Sequence, residues 1–526
     1  MMRRSIRWAL ALPLFVACSS TPPVVATAPV ASTTTPPPVA SSAPPAKPTV
    51  DVPPPAAARP MKPAQVVAVE NKSAFGSATA IVSATLPIVY VRVMVDVGIG
   101  HAQNTPTKSA AAIASMTGDM LKDGGAGKWS GKELAEQIDA LGADLTVDTG
   151  MDRTILGIAV TKDKLDAALD VLGAVLAKPR FDKKEFAKLK ARELDRVRQA
   201  QKGSGGWMAR QALYRTLLDG TRYAMPDATE ATLAGIELDD LKAYYGKAYR
   251  RGQIHVVVAG DVDATKLGAA LDGKLGGLPA GATAMVFPAP PAPTAGIRVV
   301  LAKKPGSKQA DIFVARRVIA RNDPRFPDLA LATHVLGGGM AMRLFSDVRE
   351  KRSLAYSTNA NVRELAWGSD SLVALYAGTQ TALAGKSVDA LLEHLRWISK
   401  DKPVTQEEFD IARTSLETAF LYRLETIGAV GGLALEQKLL KLPGADVYDY
   451  VEKYRAAIRG ATLASVRAAA ADLLAPSNLV IAVAGDPSLA GPLSHFGAVT
   501  IVDPEKNFEK VGEKAADPSA PLAVGP

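Results

Sequence analysis

The sequence has 526 residues, of which 48% are hydrophobic, and its formal net charge is +9 at pH 7. This length predicts about two to four domains, and the hydrophobic fraction is sufficient for well-packed cores. Lysine and arginine are interleaved with aspartate and glutamate instead of forming a basic stripe with aromatic residues, so the charge does not predict nucleic-acid binding. The single cysteine excludes an internal disulfide and a cysteine-rich metal site.

The N-terminal segment predicts export from the cytoplasm. Three arginines precede an apolar run from Trp8 to Ala17, which is too short to span a bilayer as a stable helix. The run ends in Leu-Phe-Val-Ala-Cys, which is similar to the lipobox of bacterial lipoproteins, whose cysteine is acylated and becomes the mature N-terminus. Phe15 stands where leucine is usual, so ordinary cleavage and export is the alternative. We expect a signal peptide over residues 1–17 and a lipid-anchored Cys18 at the cell envelope, in the outer membrane facing the periplasm.

Residues 18–66 are a low-complexity mixture of proline, alanine, threonine, serine and valine. Such a segment buries no core and favours extended polyproline conformations. It therefore predicts a spacer between the anchor and the globular part of the chain. A disordered tail without a function of its own is compatible with the same composition.

From Ser77 onward, the hydrophobic periodicity predicts an α+β unit. Ser130 and Glu133 form a predicted capping box at the start of one helix. Strands are predicted at 78–82, 89–98, 144–149, 154–160 and 255–259, and helices at 106–121, 130–141, 163–177, 182–201, 208–218 and 238–249.

The pattern of the first half returns after a connector rich in glycine, proline and alanine over residues 276–296. Lys-Pro-Arg-Phe-Asp-Lys-Lys-Glu-Phe at 178–186 is matched by Lys-Pro-Val-Thr-Gln-Glu-Glu-Phe at 402–409. Val-Val-Ala-Gly-Asp at 257–261 returns as Ala-Val-Ala-Gly-Asp at 482–486, at nearly the same offset. Two landmarks at one offset predict an internal duplication.

We therefore predict an α+β fold of two tandem homologous units, each a mostly antiparallel sheet with helices packed on one face. The first unit is predicted over residues 67–278 and the second over residues 295–505. Residues 506–526 are predicted to be a disordered tail.

The stretch 336–357, Leu-Gly-Gly-Gly-Met-Ala-Met-Arg-Leu-Phe-Ser-Asp-Val-Arg-Glu-Lys-Arg-Ser-Leu-Ala-Tyr-Ser, predicts a corner between a helix and a strand. At such a corner, the guanidinium of Arg349 and the phenol of Tyr356 can converge on one acceptor, such as a peptide carbonyl or the oxyanion formed from it. The alternative interpretation places Arg349 on a solvated helix face and Tyr356 in the core.

This stretch carries a resemblance to a known family. The segments 337–339, 343–345, 348–352 and 354–356 resemble the second-half signature of the insulinase and pitrilysin-type zinc metallopeptidases, especially the mitochondrial-processing-peptidase-like branch. At the level of pattern, the resemblance extends over about residues 67–505. It implies a duplicated α+β fold, and it implies that an arginine and a tyrosine seven residues apart help to hold the substrate backbone at the scissile bond. Arg349 and Tyr356 keep that spacing.

The zinc motif of that family is absent. An H-x-x-E-H helix places two histidines on one face as zinc ligands and a glutamate between them as general base. At the helix where the family carries this motif, the ligand and base positions align with Ser115, Gly118 and Asp119. Glu193 or Asp195 would mark the region of the third, acidic ligand, but one carboxylate does not bind a catalytic zinc.

The five histidines do not replace this motif, because no two of them are spaced four residues apart. They are His101, His255, His334, His394 and His495. The segment 390–394, Ala-Leu-Leu-Glu-His, looks like the motif without its first histidine, and we interpret it as a coincidence with an amphipathic helix face. We therefore expect no cofactor in this chain and expect zinc in a partner subunit.

These observations predict a non-catalytic, substrate-binding subunit of a heteromeric insulinase-type zinc metallopeptidase. The chain would supply Arg349 and Tyr356, a separate H-x-x-E-H chain would supply the zinc and the base, and the peptide substrate would add a strand to a sheet edge. The alternative is a structural or binding lipoprotein that has kept the fold without peptidase activity. An active peptidase with an irregular metal site is the least favoured hypothesis. The expected partners are the peptidase subunit, a peptide and a membrane reached through the lipid anchor, with no nucleic acid.

Overall fold

The computed structural model describes residues 63–221, 223–282, 295–364 and 370–524, with only the backbone of Glu364. Residues Ala64–Pro526 form one compact unit. The predicted signal peptide, Cys18 and nearly all of the predicted spacer lie outside the described residues. Across the described ranges, no helix has both the length and the apolar character needed to cross a membrane.

The first half contains a six-stranded sheet with the order β1-β2-β6-β3-β5-β4. Only β2 and β6 pair in parallel, and the other pairs are antiparallel. The strands are β1 (Gln65–Ala68), β2 (Ser77–Val82), β3 (Ile88–Val95), β4 (Thr146–Thr149), β5 (Thr154–Thr161) and β6 (Ile254–Gly260), and the helices are α1 (Ala110–Asp123), α2 (Gly131–Ala140), α3 (Leu165–Ala177), α4 (Lys183–Gly203), α5 (Gly205–Leu217), α6 (Glu230–Ala234), α7 (Leu238–Ala248) and α8 (Ala264–Leu275).

The second half contains a seven-stranded sheet with the order β13-β12-β7-β11-β8-β10-β9, in which β7 is parallel to both of its neighbours. The strands are β7 (Ile297–Lys303), β8 (Gln309–Val318), β9 (Ser357–Glu364), β10 (Ser371–Gln380), β11 (Leu479–Gly485), β12 (Val499–Asp503) and β13 (Glu509–Lys514), and the α-helices are α9 (Phe326–Gly337), α10 (Ala384–Arg396), α11 (Gln406–Tyr422), α12 (Ile427–Leu439), α13 (Val447–Gly460), α14 (Leu463–Leu473) and α15 (Ala490–Leu493). Two π-helices occur at Leu344–Lys351 and Trp397–Asp401.

The predicted α+β fold of two homologous units is confirmed, and both repeated landmarks have equivalent places in the two halves. The first landmark marks the start of a long helix, since Asp182 caps α4 and Thr405 caps α11 with its hydroxyl. The second landmark ends a fully buried strand inside each sheet, β6 in the first half and β11 in the second. The predicted capping box of Ser130 and Glu133 is also present, at the start of α2.

The second face of each sheet is covered by a helix from the other half. Trp207 and Met208 of α5 pack in one core cluster with Val480 of the second sheet. In return, α12 packs against Met94 and Val257 of the first sheet. The prediction of helices on one face therefore holds only for the helices that belong to the same half as the sheet. The second face of each sheet is covered by a helix of the other half.

The prediction of a disordered tail over residues 506–526 is wrong for the part that the structure describes, up to residue 524. Strand β13 pairs with β12 in antiparallel register. Phe508 is buried, with its ring 5.7 Å from that of Trp207 and 4.8 Å from the guanidinium of Arg215. The sequence of β13, Glu-Lys-Val-Gly-Glu-Lys, has little local hydrophobic pattern, and its conformation comes from pairing with the preceding strand β12 at the edge of the sheet.

Candidate functional site

The predicted corner is formed where α9 ends against the edge strand β9. A Cβ atom on Gly337 would lie 2.5 Å from the backbone nitrogen of Ala360, and one on Gly338 would collide with the imidazole of His334. Gly339, by contrast, has nothing within 4 Å of the position that its Cβ would take. Close packing therefore favours glycine at both positions, and Gly337 is the one that lets the end of α9 approach β9.

Arg343 fixes the start of the π-helix that follows. Its guanidinium makes two hydrogen bonds of 2.6 Å to the Glu408 carboxylate and one of 2.7 Å to the carbonyl of Lys402. Planar, bidentate pairs of this kind are both strong and directional. Leu344 and Val348 bury the inner side of the π-helix in the core. Arg343 therefore supports the corner and does not face a ligand.

A second ionic network ties the π-helix to α10. Asp347 lies 3.0 Å from His394 Nε2 and 2.9 Å from Arg352 Nε, and Arg352 lies 2.7 Å from Glu393. Burial lowers the pKa of His394, and the hydrogen bond to Asp347 opposes that effect. Glu393 and His394 thus serve as ionic partners of the corner, in agreement with the interpretation of 390–394 as a coincidental likeness to a zinc motif.

The backbone between the π-helix and β9 is held from both sides. Ser353 adopts a positive φ of 50°, and the next amide, that of Leu354, donates to the Val348 carbonyl at 2.9 Å. The Leu354 carbonyl accepts hydrogen bonds from the hydroxyls of Thr379 and Ser387. These contacts fix the segment that carries Tyr356.

Arg349 points to solvent at this corner, with its side chain 44% exposed. The guanidinium lies 4.5 Å from the centre of the Phe345 ring, and its Nε is 3.4 Å from a carboxylate oxygen of Glu350. An exposed pair at this distance contributes little stability, so it does not prevent the guanidinium from binding another group.

Tyr356 is 49% exposed, and its ring lies against the backbone of Gly378. Burial, followed by the negative charge of Asp311, raises the pKa of its phenol. Within the described residues, no hydrogen bond joins the phenol to the guanidinium of Arg349. The structure therefore places Arg349 and Tyr356 at one corner with their side chains accessible. The two side chains are not hydrogen-bonded to each other.

The zinc positions of the first half do not fit a metal. Gly118 is buried under β4, where a Cβ atom would lie 2.6 Å from the Thr149 hydroxyl and 3.2 Å from the Val147 side chain. The hydroxyl of Ser115 donates to the carbonyl of Ala112 within its own helix. Asp119 is partly buried on the same helix. In the part of the chain that the structure describes, no group of three or more His, Cys, Asp or Glu side chains is arranged to hold a metal ion.

The carboxylates proposed for the third-ligand region have other partners. Glu193 lies 2.7 Å from Arg196, and this arginine also binds Asp227 at 3.0 Å. Asp195 is largely exposed and lies 3.5 Å from Arg198. Both carboxylates are therefore occupied by arginines, Glu193 at a largely buried position and Asp195 on the helix surface.

Sequence reasoning missed three residues that contact Tyr356 or approach it, namely Asp311, Tyr376 and Gly378. The Tyr376 hydroxyl donates to Asp311 at 2.7 Å. An aspartate in the otherwise apolar start of β8, Ala-Asp-Ile-Phe-Val, was the available signal, because an acidic residue in a central strand requires a partner. No local signal identifies Gly378, whose role depends on strand pairing.

Two family models match the chain. The insulinase model (peptidase family M16) matches residues 80–226, and the model described as the peptidase M16 inactive domain matches residues 235–416. Together the two matches extend through both halves, and the chain belongs to the insulinase (M16) family.

Particular relatives differ in the activity that their names state. The chain is 24% identical over 340 residues to the uncharacterized zinc protease YmxG of Bacillus subtilis, covering 64% of this chain and 80% of the relative. It is 25% identical over 336 residues to the non-peptidase homolog YmxG of Helicobacter pylori, covering 61% and 73%. The crystal structure of a peptidase M16 inactive domain from Pseudomonas fluorescens superposes with a TM-score of 0.72 at 24% identity, covering 80% and 98%. This superposition shows the shared fold.

Proposed function

We propose that the chain is the non-catalytic, substrate-binding subunit of a heteromeric insulinase-type zinc metallopeptidase at the cell envelope. One observation carries this proposal. The corner that holds Arg349 and Tyr356 is built and accessible, whereas the position aligned with the general base of the zinc motif, Gly118, is closed by β4. A chain that had lost every part of the function would not need two exposed hydrogen-bond donors on so firmly held a backbone.

The peptide would bind along the edge strand β9. This strand ends the order of the second sheet, and it starts immediately after Tyr356. Its outer backbone groups can pair with an extended peptide, while the side chains select the sequence. Ala360 is part of the core on one face, so Asn359 and Asn361 lie on the opposite face, where their side chains are joined by a hydrogen bond of 3.1 Å.

In this assignment, Arg349 and Tyr356 supply hydrogen bonds to the substrate backbone and the partner chain supplies the chemistry. The guanidinium offers a planar fork of donors, and the phenol offers one further donor. The zinc and the general base belong to an H-x-x-E-H subunit. The N-terminal sequence around Cys18 supports an envelope location through a lipid anchor, and Cys18→Ala is expected to release the protein from the membrane fraction or to block its maturation.

Copurification tests the proposed assembly. The tagged full-length chain, isolated from its own envelope, is expected to bring down a protein with an H-x-x-E-H motif, and the pair is expected to cleave a labelled casein peptide mixture. The matched control is a chain with Arg343→Ala, which should disturb the corner and lower cleavage together with the melting temperature. Repeated isolation without any H-x-x-E-H protein would refute the pairing.

A structural or binding lipoprotein without peptidase activity is the second candidate. The contact of Arg349 with Phe345 favours it, because a guanidinium resting on an aromatic ring is also a common surface contact. In that case, no H-x-x-E-H protein would copurify with the chain, and the Arg349→Ala variant would show only a lowered melting temperature.

A further inference from the structure

Tyr356 lies on the face of the second sheet that carries helix α5 of the first half. Along β10, Ala374 packs in the cluster formed with α5, whereas Leu375 packs in the cluster on the opposite face. Because side chains alternate along a strand, Tyr376 and Gly378 belong to the α5 side. The ring of Tyr356 rests on the side of Gly378 to which a Cβ atom would point.

Gly378 forms a seat for this ring. A Cβ atom at that position would lie 2.7 Å from Cζ of Tyr356 and 2.8 Å from its hydroxyl oxygen. The backbone amide of Tyr356 also donates to the Gly378 carbonyl at 2.9 Å. The phenol therefore occupies the space that any other residue at 378 would fill.

Asp311 lies beside this seat, on β8 and directly opposite Gly378 in the strand register. Its carboxylate accepts the hydrogen bond from the Tyr376 hydroxyl. Burial, and after it the negative charge of Asp311, raises the pKa of the Tyr356 phenol, so the phenol stays protonated further into the alkaline range. A neutral phenol can donate to a carbonyl, whereas a phenolate cannot.

The same carboxylate contacts the first half of the chain. A Cβ atom on Gly205 would collide with one oxygen of Asp311, and one on Gly206 would lie 3.5 Å from the other. These two glycines begin α5, and Ser204 caps the helix with its hydroxyl. Free N–H groups and the helix dipole at this end favour a neighbouring negative charge.

We propose that Gly378 and Asp311 are positioning residues: Gly378 seats the Tyr356 ring, and Asp311 places its carboxylate beside the phenol. The first half contributes to the same arrangement, because the start of α5 holds the Asp311 carboxylate in place. The proposal rests on the proposed peptide-binding role of Tyr356 and extends that site across both halves of the chain.

Ionisation of the phenol reports on the role of Asp311. Alkaline titration of the full chain is followed by tyrosinate absorbance, and the curve of the Tyr356→Phe protein is subtracted to isolate Tyr356. Asp311→Asn removes the charge but keeps an oxygen that can accept the hydrogen bond from Tyr376, so the pKa of Tyr356 is expected to fall. An unchanged Tyr356 titration in this variant would overturn the role of Asp311.

Gly378→Ala tests the seat. The added methyl group should displace the ring, lower the pKa of Tyr356 toward its ordinary value and weaken binding of a labelled casein peptide mixture by about tenfold. The matched control is Gly339→Ala, which adds a methyl group in open space nearby and should change neither property. A lower melting temperature with an unchanged Tyr356 titration would make Gly378 purely structural and would refute the proposal.

The titration requires neither a peptide nor a partner chain, so it separates this proposal from the proposed function. A shifted phenol pKa in Gly378→Ala and Asp311→Asn, together with unaltered peptide binding in these two variants and in Tyr356→Phe, would reject the peptide-binding role of Tyr356 and leave the positioning role in place. Loss of binding in Tyr356→Phe without any pKa shift in the other two variants would support the function and reject the positioning role.

Discussion

The family resemblance implies function in two regions: helix α1 with β4, and the corner between α9 and β9. The first region is filled by packed side chains, whereas the second leaves polar side chains accessible. At α1, Gly118 lies under Thr149, so the space beside the position aligned with the general base of the zinc motif is filled by a neighbouring strand. At the corner, close packing at Gly337 instead supports exposed side chains. The comparison teaches that a closed region and an accessible region can coexist in one duplicated chain, each formed by its own local packing.

The largest effect on stability is expected when the glutamate of the zinc motif is placed back into helix α1. Gly118→Glu would place a carboxylate where β4 leaves no room, and overpacking with a buried charge should destabilise the fold by about 3 kcal/mol or more. Thermal unfolding measures this loss. Ser115→Ala, on the same helix, is the control and should have little effect. A Gly118→Glu protein with an unchanged melting temperature would show that the region is open after all.

The next effect concerns activity at the corner. Arg349→Ala and Tyr356→Phe should each lower the turnover of the reconstituted pair by about a hundredfold, since loss of one positioned donor costs on the order of 3 kcal/mol. Arg349→Lys should be little better than Ala, because an ammonium does not reproduce the planar fork. Melting temperature and partner association should remain as in the wild type. Full turnover with a lowered melting temperature in these variants would show that Arg349 and Tyr356 only stabilise the corner, and would refute their binding role.

A smaller effect is expected from the packing that forms the corner. Gly337→Ala would press a methyl group against the backbone of β9 at Ala360, which should cost about 1–3 kcal/mol of stability. Comparison with Gly339→Ala by denaturant unfolding isolates the close approach from the general effect of adding a methyl group. Equal stabilities of the two variants would contradict the packing described for Gly337.

The smallest effect is a pH dependence that belongs to the corner alone. Burial lowers the pKa of His394, opposed by Asp347 and assisted by the charges of Arg352 and Arg343. The unfolded chain therefore binds more protons, so the stability contributed by the neutral imidazole is complete above the ordinary histidine pKa of about 6.5 and is lost as the pH falls from that value through the lower pKa of the folded chain. His394→Gln, which keeps a donor for Asp347, should reduce the loss of melting temperature on acidification. An equal loss in both proteins would assign the effect to other groups.

The sequence predicted the features that are determined locally. The capping box at Ser130 and the helix start at Thr405 depend on contacts within one turn, and the buried strand β6 is visible as an apolar run. The corner was predicted because its glycines and its Arg349–Tyr356 spacing lie in one short stretch. In these cases, the residues that cause the structure are neighbours in the chain.

The remaining features depend on residues that are far apart in sequence. Phe508 is ordered by Trp207, and Asp311 is held between Tyr376 and Gly205, so no window of adjacent residues contains either arrangement. The exchanged positions of α5 and α12 were missed for the same reason. Their apolar residues predict burial, but they do not indicate which of two similar sheets will receive each helix.

The exchange of α5 and α12 also determines whether either half of the chain can fold and stay soluble by itself. Each sheet has one apolar face that only the other half covers, so a half produced alone would expose this face to water. A cut between residues 282 and 295 would leave two fragments that still hold each other through these helices. The duplicated chain is therefore built as two interlocked halves in one polypeptide, each of which supplies the helix that the other needs to complete its core.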